Sequence, residues 1–268
     1  MGSVDLIVTD LDGTLWSNQY DVHPDAARAL GKVVGGDVPL LVATGRRVTS
    51  TRVPLIRLGV SPPAVVLNGA VGLELSTGER FHCAAFDAIE ADKVLTGFRS
   101  VGLDPCLYVD DPSAEVLLSS TPSTHPRHVE GLGATAAVTD LAQAVMDTPV
   151  LAFGIIGVDY DILAAAAAVL DGMAEVHLDR AFDLPNAAIT VAPRGQSKWD
   201  GVVAYCDREG LDAGRVLALA DGPNDIELLR NAAVRLVPEN AHAPALALAD
   251  HVIPAAEAGG WRAVLDFI

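Results

Sequence analysis

Cysteine, aromatic side chains and positive charge are all scarce in this chain of 268 residues. Its three cysteines, Cys83, Cys106 and Cys206, stand far apart and in no CxxC spacing. That excludes a disulfide framework and a thiolate metal site, and reads as buried thiols in a reducing compartment. Only 18 Lys and Arg oppose 35 Asp and Glu, for a net charge of −17. The clustered cations that a nucleic acid or an anionic membrane surface requires are therefore missing. No apolar run approaches the roughly 20 residues of a membrane span; the longest candidate, around Ile162 to Leu170, is short and rich in alanine. A basic, apolar leader is missing too, and Met1-Gly2 is followed by Leu6 where an acylation signal has Ser or Thr. The expectation is a soluble, cytoplasmic protein with no nucleic-acid or membrane partner, monomeric or homodimeric.

Half of the residues are hydrophobic, enough for one large core or two modest ones. Up to about residue 78, apolar strands (Val4–Thr9, Val38–Ala43, Ala64–Leu67) alternate with helical patterns (Pro24–Val34, Val48–Leu58), the second interrupted by Pro54. This alternation predicts parallel strands joined by crossovers. The middle differs. Val71–Leu75 and Glu79–Cys83 flank the turn Ser76-Thr77-Gly78 as a hairpin, and a helix (Phe86–Ser100), short strands and an alanine-rich helix follow. The βα alternation returns after about residue 190 and runs to Trp261–Phe267. The fold class expected is α/β, a Rossmann-like parallel-sheet core built from 1–78 and 191–268, with 79–190 inserted as an α+β cap.

Four segments carry chemistry. Asp10-Leu11-Asp12-Gly13-Thr14 follows the first strand, so two carboxylates reach the carboxyl end of a strand, where open α/β sheets bind ligands. Like charges that close call for a cation or for divided protonation roles. Thr44-Gly45-Arg46 ends the second strand with a hydroxyl and free backbone N–H groups ahead of a helix, a natural phosphate cradle. Lys198 opens a helix after Gly195-Gln196-Ser197, and its ammonium could neutralise a phosphoryl group. It belongs to no Walker loop, because the chain has no GxxxxGK[ST]. In Ala220-Asp221-Gly222-Pro223-Asn224-Asp225, a strand leads into acidic oxygens that suit Mg²⁺, although Asn224 or Asp225 could equally cap the helix that follows.

DxDGT, TGR, a lysine and DGxND in this order resemble the haloacid dehalogenase superfamily of phosphatases, specifically its Cof-type members. Asn68-Gly69-Ala70 and the closing Ala249-Asp250-His251-Val252 with Gly259-Gly260 extend the likeness over nearly the whole chain. Ala220 stands where many relatives have Gly, and Leu228-Leu229 where Met-Leu is commoner. The resemblance implies that Asp10 attacks phosphorus to form an aspartyl-phosphate, and that Asp12 serves as general acid and base. It implies Mg²⁺ on Asp10, the Asp12 backbone carbonyl and Asp221. Thr44, Gly45 and Lys198 would hold phosphoryl oxygens, and Asn224 would position Lys198 or the phosphate. Asp225 would support Lys198 or the metal's waters, with Arg46 and Asn68 in supporting places. The substrate expected is a small phosphate ester, a sugar phosphate or similar metabolite. The alternatives are a phosphomannomutase-like phosphotransferase, disfavoured by the few cations between residues 79 and 190, and a non-catalytic metabolite-binding protein. His82, Arg180 and Asp183 are candidates to face a substrate from the cap, whereas His125 and His128 read as surface residues.

Overall fold

In the computed structural model, residues 4–17, 20–181 and 184–268 are described; Asp183 lies outside them. The chain forms two compact units, 1–83 with 197–268, and 84–196.

The first unit begins β1 (Leu6–Thr9), α1 (Pro24–Val34), β2 (Leu40–Ala43), α2 (Val48–Arg57), β3 (Pro63–Val66), β4 (Val71–Glu74), β5 (Arg80–Cys83). The second comprises α3 (Ala88–Ser100), β6 (Cys106–Val109), β7 (Val116–Leu118), α4 (Pro126–Leu132), β8 (Ala136–Val138), α5 (Leu141–Asp147), β9 (Val150–Val158), α6 (Tyr160–Leu170), β10 (Glu175–Arg180) and β11 (Ala187–Ala192). The chain then returns to the first unit with α7 (Lys198–Glu209), β12 (Val216–Leu219), α8 (Ile226–Asn231), β13 (Val234–Pro238), α9 (Ala243–Leu246) and β14 (His251–Ile253).

Among the described residues the first unit carries one sheet in the order β14-β13-β12-β1-β2-β3-β4-β5. The strands from β14 to β3 are parallel, and β4 and β5 join antiparallel. The central strands are wholly buried runs, LIVT in β1 and VLAL in β12, as expected of parallel strands covered on both faces. Leu6 and Val8 pack with Val202 and Cys206 of α7 and with Leu228 and Leu229. On the opposite side of β1, Thr9 Oγ1 accepts the Trp261 indole N–H at 2.9 Å. Because β1 lies between β12 and β2, the chain leaves it in both directions. The carboxyl ends of β1, β2 and β12 flank that switch point, where such sheets take their ligands.

The second unit has its own sheet, β10-β11-β9-β6-β7-β8, and its own core of Phe98, Leu163, Leu170 and Leu141 against Leu107, Phe153 and Ile189. Its bounds lie a few residues beyond those read from composition. The stretch 80–83 pairs with β4 as the edge of the first sheet, and β11 is bonded to β9 and β10 in the second. His82 consequently sits in the first unit, on β5, and not in the insertion. Two short helices, α4 and α5, occupy stretches that showed no helical period. His125 caps α4 by accepting the Arg127 N–H at 3.2 Å. The closing stretch Gly260–Asp266 is a 3₁₀ run, not an α-helix.

Candidate active site

Three acidic residues meet at the carboxyl ends of β1 and β12. Asp10 directly follows β1, with its N–H bonded to the Leu219 carbonyl of β12 at 2.9 Å. Asp221 lies just beyond β12 and accepts from Thr14 Oγ1 at 2.7 Å. Asp225 is completely buried, with its Oδ2 accepting the Gly222 N–H at 2.9 Å. Oxygens of these three carboxylates all lie within 4.8 Å of one another.

Lys198, the first residue of α7, is buried among them. Its Nζ donates to Asp225 Oδ1 at 2.6 Å and stands 3.1 Å from Asp10 Oδ1. A capping box between Ser197 and Asp200 fixes where α7 begins, and with it the lysine. Burial alone would favour loss of the Lys198 proton, but Asp10 and Asp225 outweigh it and raise the pKa, so the ammonium form is held. The carboxylates are strained the other way. Burial, with Asp225, Asp221 and Asp12 behind it, raises the Asp10 pKa well above its usual value against the pull of Lys198. Burial and then Asp225 push Asp221 up to about 7, with the Thr14 hydrogen bond and Lys198 opposing them. Asp10 Oδ1 is buried and receives no hydrogen bond among the described residues, Lys198 serving it as a charge at the side. Excess negative charge together with a buried oxygen lacking a donor is the environment that a hard, oxygen-seeking divalent cation fits. Asp10, Asp221 and Asp225 could hold one.

Asp12 takes no part in this cluster through its side chain. Its carboxylate is gripped by Arg46, Nε to Oδ2 and Nη2 to Oδ1, both at 2.5 Å, and Oδ1 also accepts the Trp16 indole N–H at 2.7 Å. Arg46 lies over the rings of Tyr20 (4.5 Å) and Trp16 (5.4 Å) and donates to Tyr20 Oη at 2.9 Å. Pro54 does not break α2 but leaves the Ser50 carbonyl without its helical donor, and Arg46 Nη1 approaches that carbonyl at 3.5 Å.

The third group lies at the ends of β2 and β3. Thr44 is buried, its hydroxyl accepting the Arg46 N–H at 3.3 Å and its carbonyl the Asn68 N–H at 3.2 Å. Asn68 adopts a left-handed conformation, φ 54°. Its Oδ1 accepts from Asn224 Nδ2 at 2.9 Å, so the amide of Asn224 is directed to Asn68, while the carboxylates paired with Lys198 are Asp225 and Asp10. Gly45 runs past both amides, and a Cβ there would lie 2.9 Å from Asn68 Oδ1. Thr14, Trp16 and Tyr20 were not singled out from sequence. The Thr14 hydroxyl, inside the first acidic motif, was the available signal; nothing local marked the other two. Of the candidates to face a substrate, His82 lies on β5 of the first unit, its pKa lowered by burial, and Arg180 ends β10 of the second.

Carboxylates, a buried lysine and a hydroxyl gathered at the carboxyl ends of parallel strands define a hydrolytic α/β enzyme. The chain belongs to the haloacid dehalogenase-like hydrolases, whose family model matches residues 7–265. It is 24% identical over 256 residues to a phosphoglycolate phosphatase of Methanopyrus kandleri, covering 95% of this chain and 93% of that protein. It is 22% identical to a pyridoxal phosphate phosphatase of Escherichia coli, covering 92% of each. A haloacid dehalogenase-like hydrolase from B. subtilis shares the fold with a TM-score of 0.81 at 17% identity, over 98% of this chain and 99% of that one. Among the described residues no helix is long and apolar enough to cross a membrane.

Proposed function

We propose that the protein is a Mg²⁺-dependent phosphatase of small phosphorylated metabolites, sugar phosphates among them, working through an aspartyl-phosphate on Asp10. The observation that carries this reading is Lys198 Nζ, 3.1 Å from Asp10 Oδ1 inside a cluster of three carboxylates. In the first step a carboxylate oxygen of Asp10 bonds to phosphorus, the phosphorus–oxygen bond of the ester breaks, and Asp12 gives its proton to the departing alkoxide. In the second step Asp12 takes a proton from water, the resulting hydroxide attacks phosphorus, and the bond to Asp10 breaks to release phosphate.

Phosphoryl transfer depends chiefly on positioning and charge neutralisation. Lys198, Thr44 and the backbone at Gly45 would hold the phosphoryl oxygens, with Asn68 and Asn224 fixing the loop that carries Gly45. Asp10, Asp221 and the Asp12 carbonyl would hold the cation, with Asp225 keeping Lys198 in place. Bound Mg²⁺ would supply positive charge shared between Asp10 and the phosphoryl group. All of these residues come from the first unit, so we assign the choice of leaving group to the inserted unit. Cys83, Cys106 and Cys206 are in no disulfide, which suits a reducing compartment such as the cytoplasm.

The test is phosphate release from a panel of sugar phosphates, phosphoglycolate and pyridoxal 5′-phosphate, with Mg²⁺ and with EDTA. Release that needs Mg²⁺ supports the reading. Absence of release from every ester, or full release in EDTA, would sink it.

A further inference from the structure

The two oxygens of the Asp12 carboxylate are unequally occupied. Oδ1 accepts from both Arg46 Nη2 and Trp16 Nε1, whereas Oδ2 accepts only from Arg46 Nε among the described residues. An ionised carboxylate offers about four lone-pair sites over its two oxygens. Oδ1 is therefore full, and Oδ2 keeps one site open.

Trp16 cannot easily withdraw from this arrangement. Its side chain is completely buried, and its backbone bridges that of Asp12. The Trp16 carbonyl accepts the Gly13 N–H at 2.9 Å, and its own N–H donates to the Leu11 carbonyl at 3.1 Å. Leucine or phenylalanine could fill the same apolar space. What tryptophan adds is an N–H that must find an acceptor when buried, and the acceptor is Asp12.

We infer that Trp16 is a positioning residue for the proton transfers of Asp12. Resting on the phosphatase reading above, it saturates Oδ1 and leaves Oδ2 as the oxygen that gives the proton to the leaving group and later takes one from water. Trp16 touches neither phosphorus nor the ester, and acts through the orientation of Asp12.

The experiment compares kcat/KM for two esters in wild type and Trp16→Phe, which keeps a ring and removes the N–H. One ester is the alkyl phosphate of the panel that wild type cleaves fastest, whose poor leaving group needs the proton. The other is 4-nitrophenyl phosphate, whose leaving group departs without it. Trp16→Phe should lose about tenfold more activity on the alkyl than on the aryl ester, a fraction of the 10²–10⁴-fold typical of acid–base catalysis. The ratio does not change if part of the sample is unfolded. Should Trp16→Phe fail to fold, benzothienylalanine at position 16, which exchanges the N–H for sulfur in a ring of the same shape, should give the same ratio. An unchanged ratio in a protein that cleaves both esters would overturn this inference alone. Wild type that cleaves no ester would sink the phosphatase reading and this inference with it.

Discussion

A Cβ placed on Gly13 would lie 2.3 Å from Asp221 Oδ2 and 2.8 Å from its Cγ, so the turn after β1 and the turn after β12 interlock at a point where only hydrogen fits. The same glycine has φ +80°, a conformation that costs a side-chain-bearing residue roughly 1–2 kcal/mol. Gly13→Ala should therefore both lower the melting temperature and push Asp221 away from Thr14 and the carboxylate cluster. Titration of activity with Mg²⁺ should show a higher half-saturating concentration. An unchanged Mg²⁺ requirement would mean that Asp221 does not hold the cation.

Asp10→Asn separates catalysis from folding. The amide cannot attack phosphorus, so turnover should fall to background with an unaltered circular dichroism spectrum. Asp10 is also raised in pKa by burial and by three neighbouring acids, so its ionised form opposes folding when no cation is bound. The variant should melt above wild type in EDTA at neutral pH. Hydrolysis above background by the folded variant would remove Asp10 as the nucleophile.

Stability should depend on pH in a direction set by Asp221. Its folded pKa of about 7 lies above the ordinary 3.8, so between those values the folded state binds more protons than the unfolded one. Stability then falls as pH rises through that window. Thermal melting in EDTA should show this decline between about pH 4 and about pH 7. Saturating Mg²⁺ should flatten it by binding the ionised form. A metal-free melting temperature that climbs steadily over the window would contradict the crowding of these carboxylates.

Much of the first unit was legible in the sequence because parallel strands covered on both faces are short, unbroken apolar runs. Their ends are marked by the acidic and glycine-bearing motifs themselves. Lys198 could be placed at a helix start because Gly195-Gln196-Ser197 closes the strand before it; the capping box of Ser197 with Asp200 emerges in the structure. The second unit was harder to read. Helices α4 and α5 have seven residues each, too short to display a 3.6-residue period. The hairpin of 71–75 with 79–83 was legible from its turn, but the boundary drawn at 79 cut through it, and the pairing of β5 with β4 keeps both strands in the first sheet. Within the site, the acids and the lysine were visible one motif at a time. The Arg46–Asp12 pair spans 34 residues and the Asn224–Asn68 bond 156. No local pattern shows that Arg46 faces a carboxylate rather than a phosphate, or that Asn224 turns to another amide.

Lys198 should prove to be structural and functional in separable ways. It is buried between Asp225 and Asp10, at 2.6 and 3.1 Å, and removing one partner of such a pair leaves an uncompensated charge, typically at a cost of about 3–5 kcal/mol. Lys198→Met should thus be strongly destabilised, which by itself would explain any loss of activity. Adding Asp225→Asn removes the charge that the lysine had balanced, while the amide oxygen can still accept the Gly222 N–H. The double variant should regain a large part of the lost stability by denaturant melting, yet remain inactive, because the phosphoryl group would still lack its ammonium. Recovery of activity together with stability would show that Lys198 serves only to neutralise Asp225. Stability unimproved by the second substitution would show that the lysine's packing, and not its charge, holds the first turn of α7.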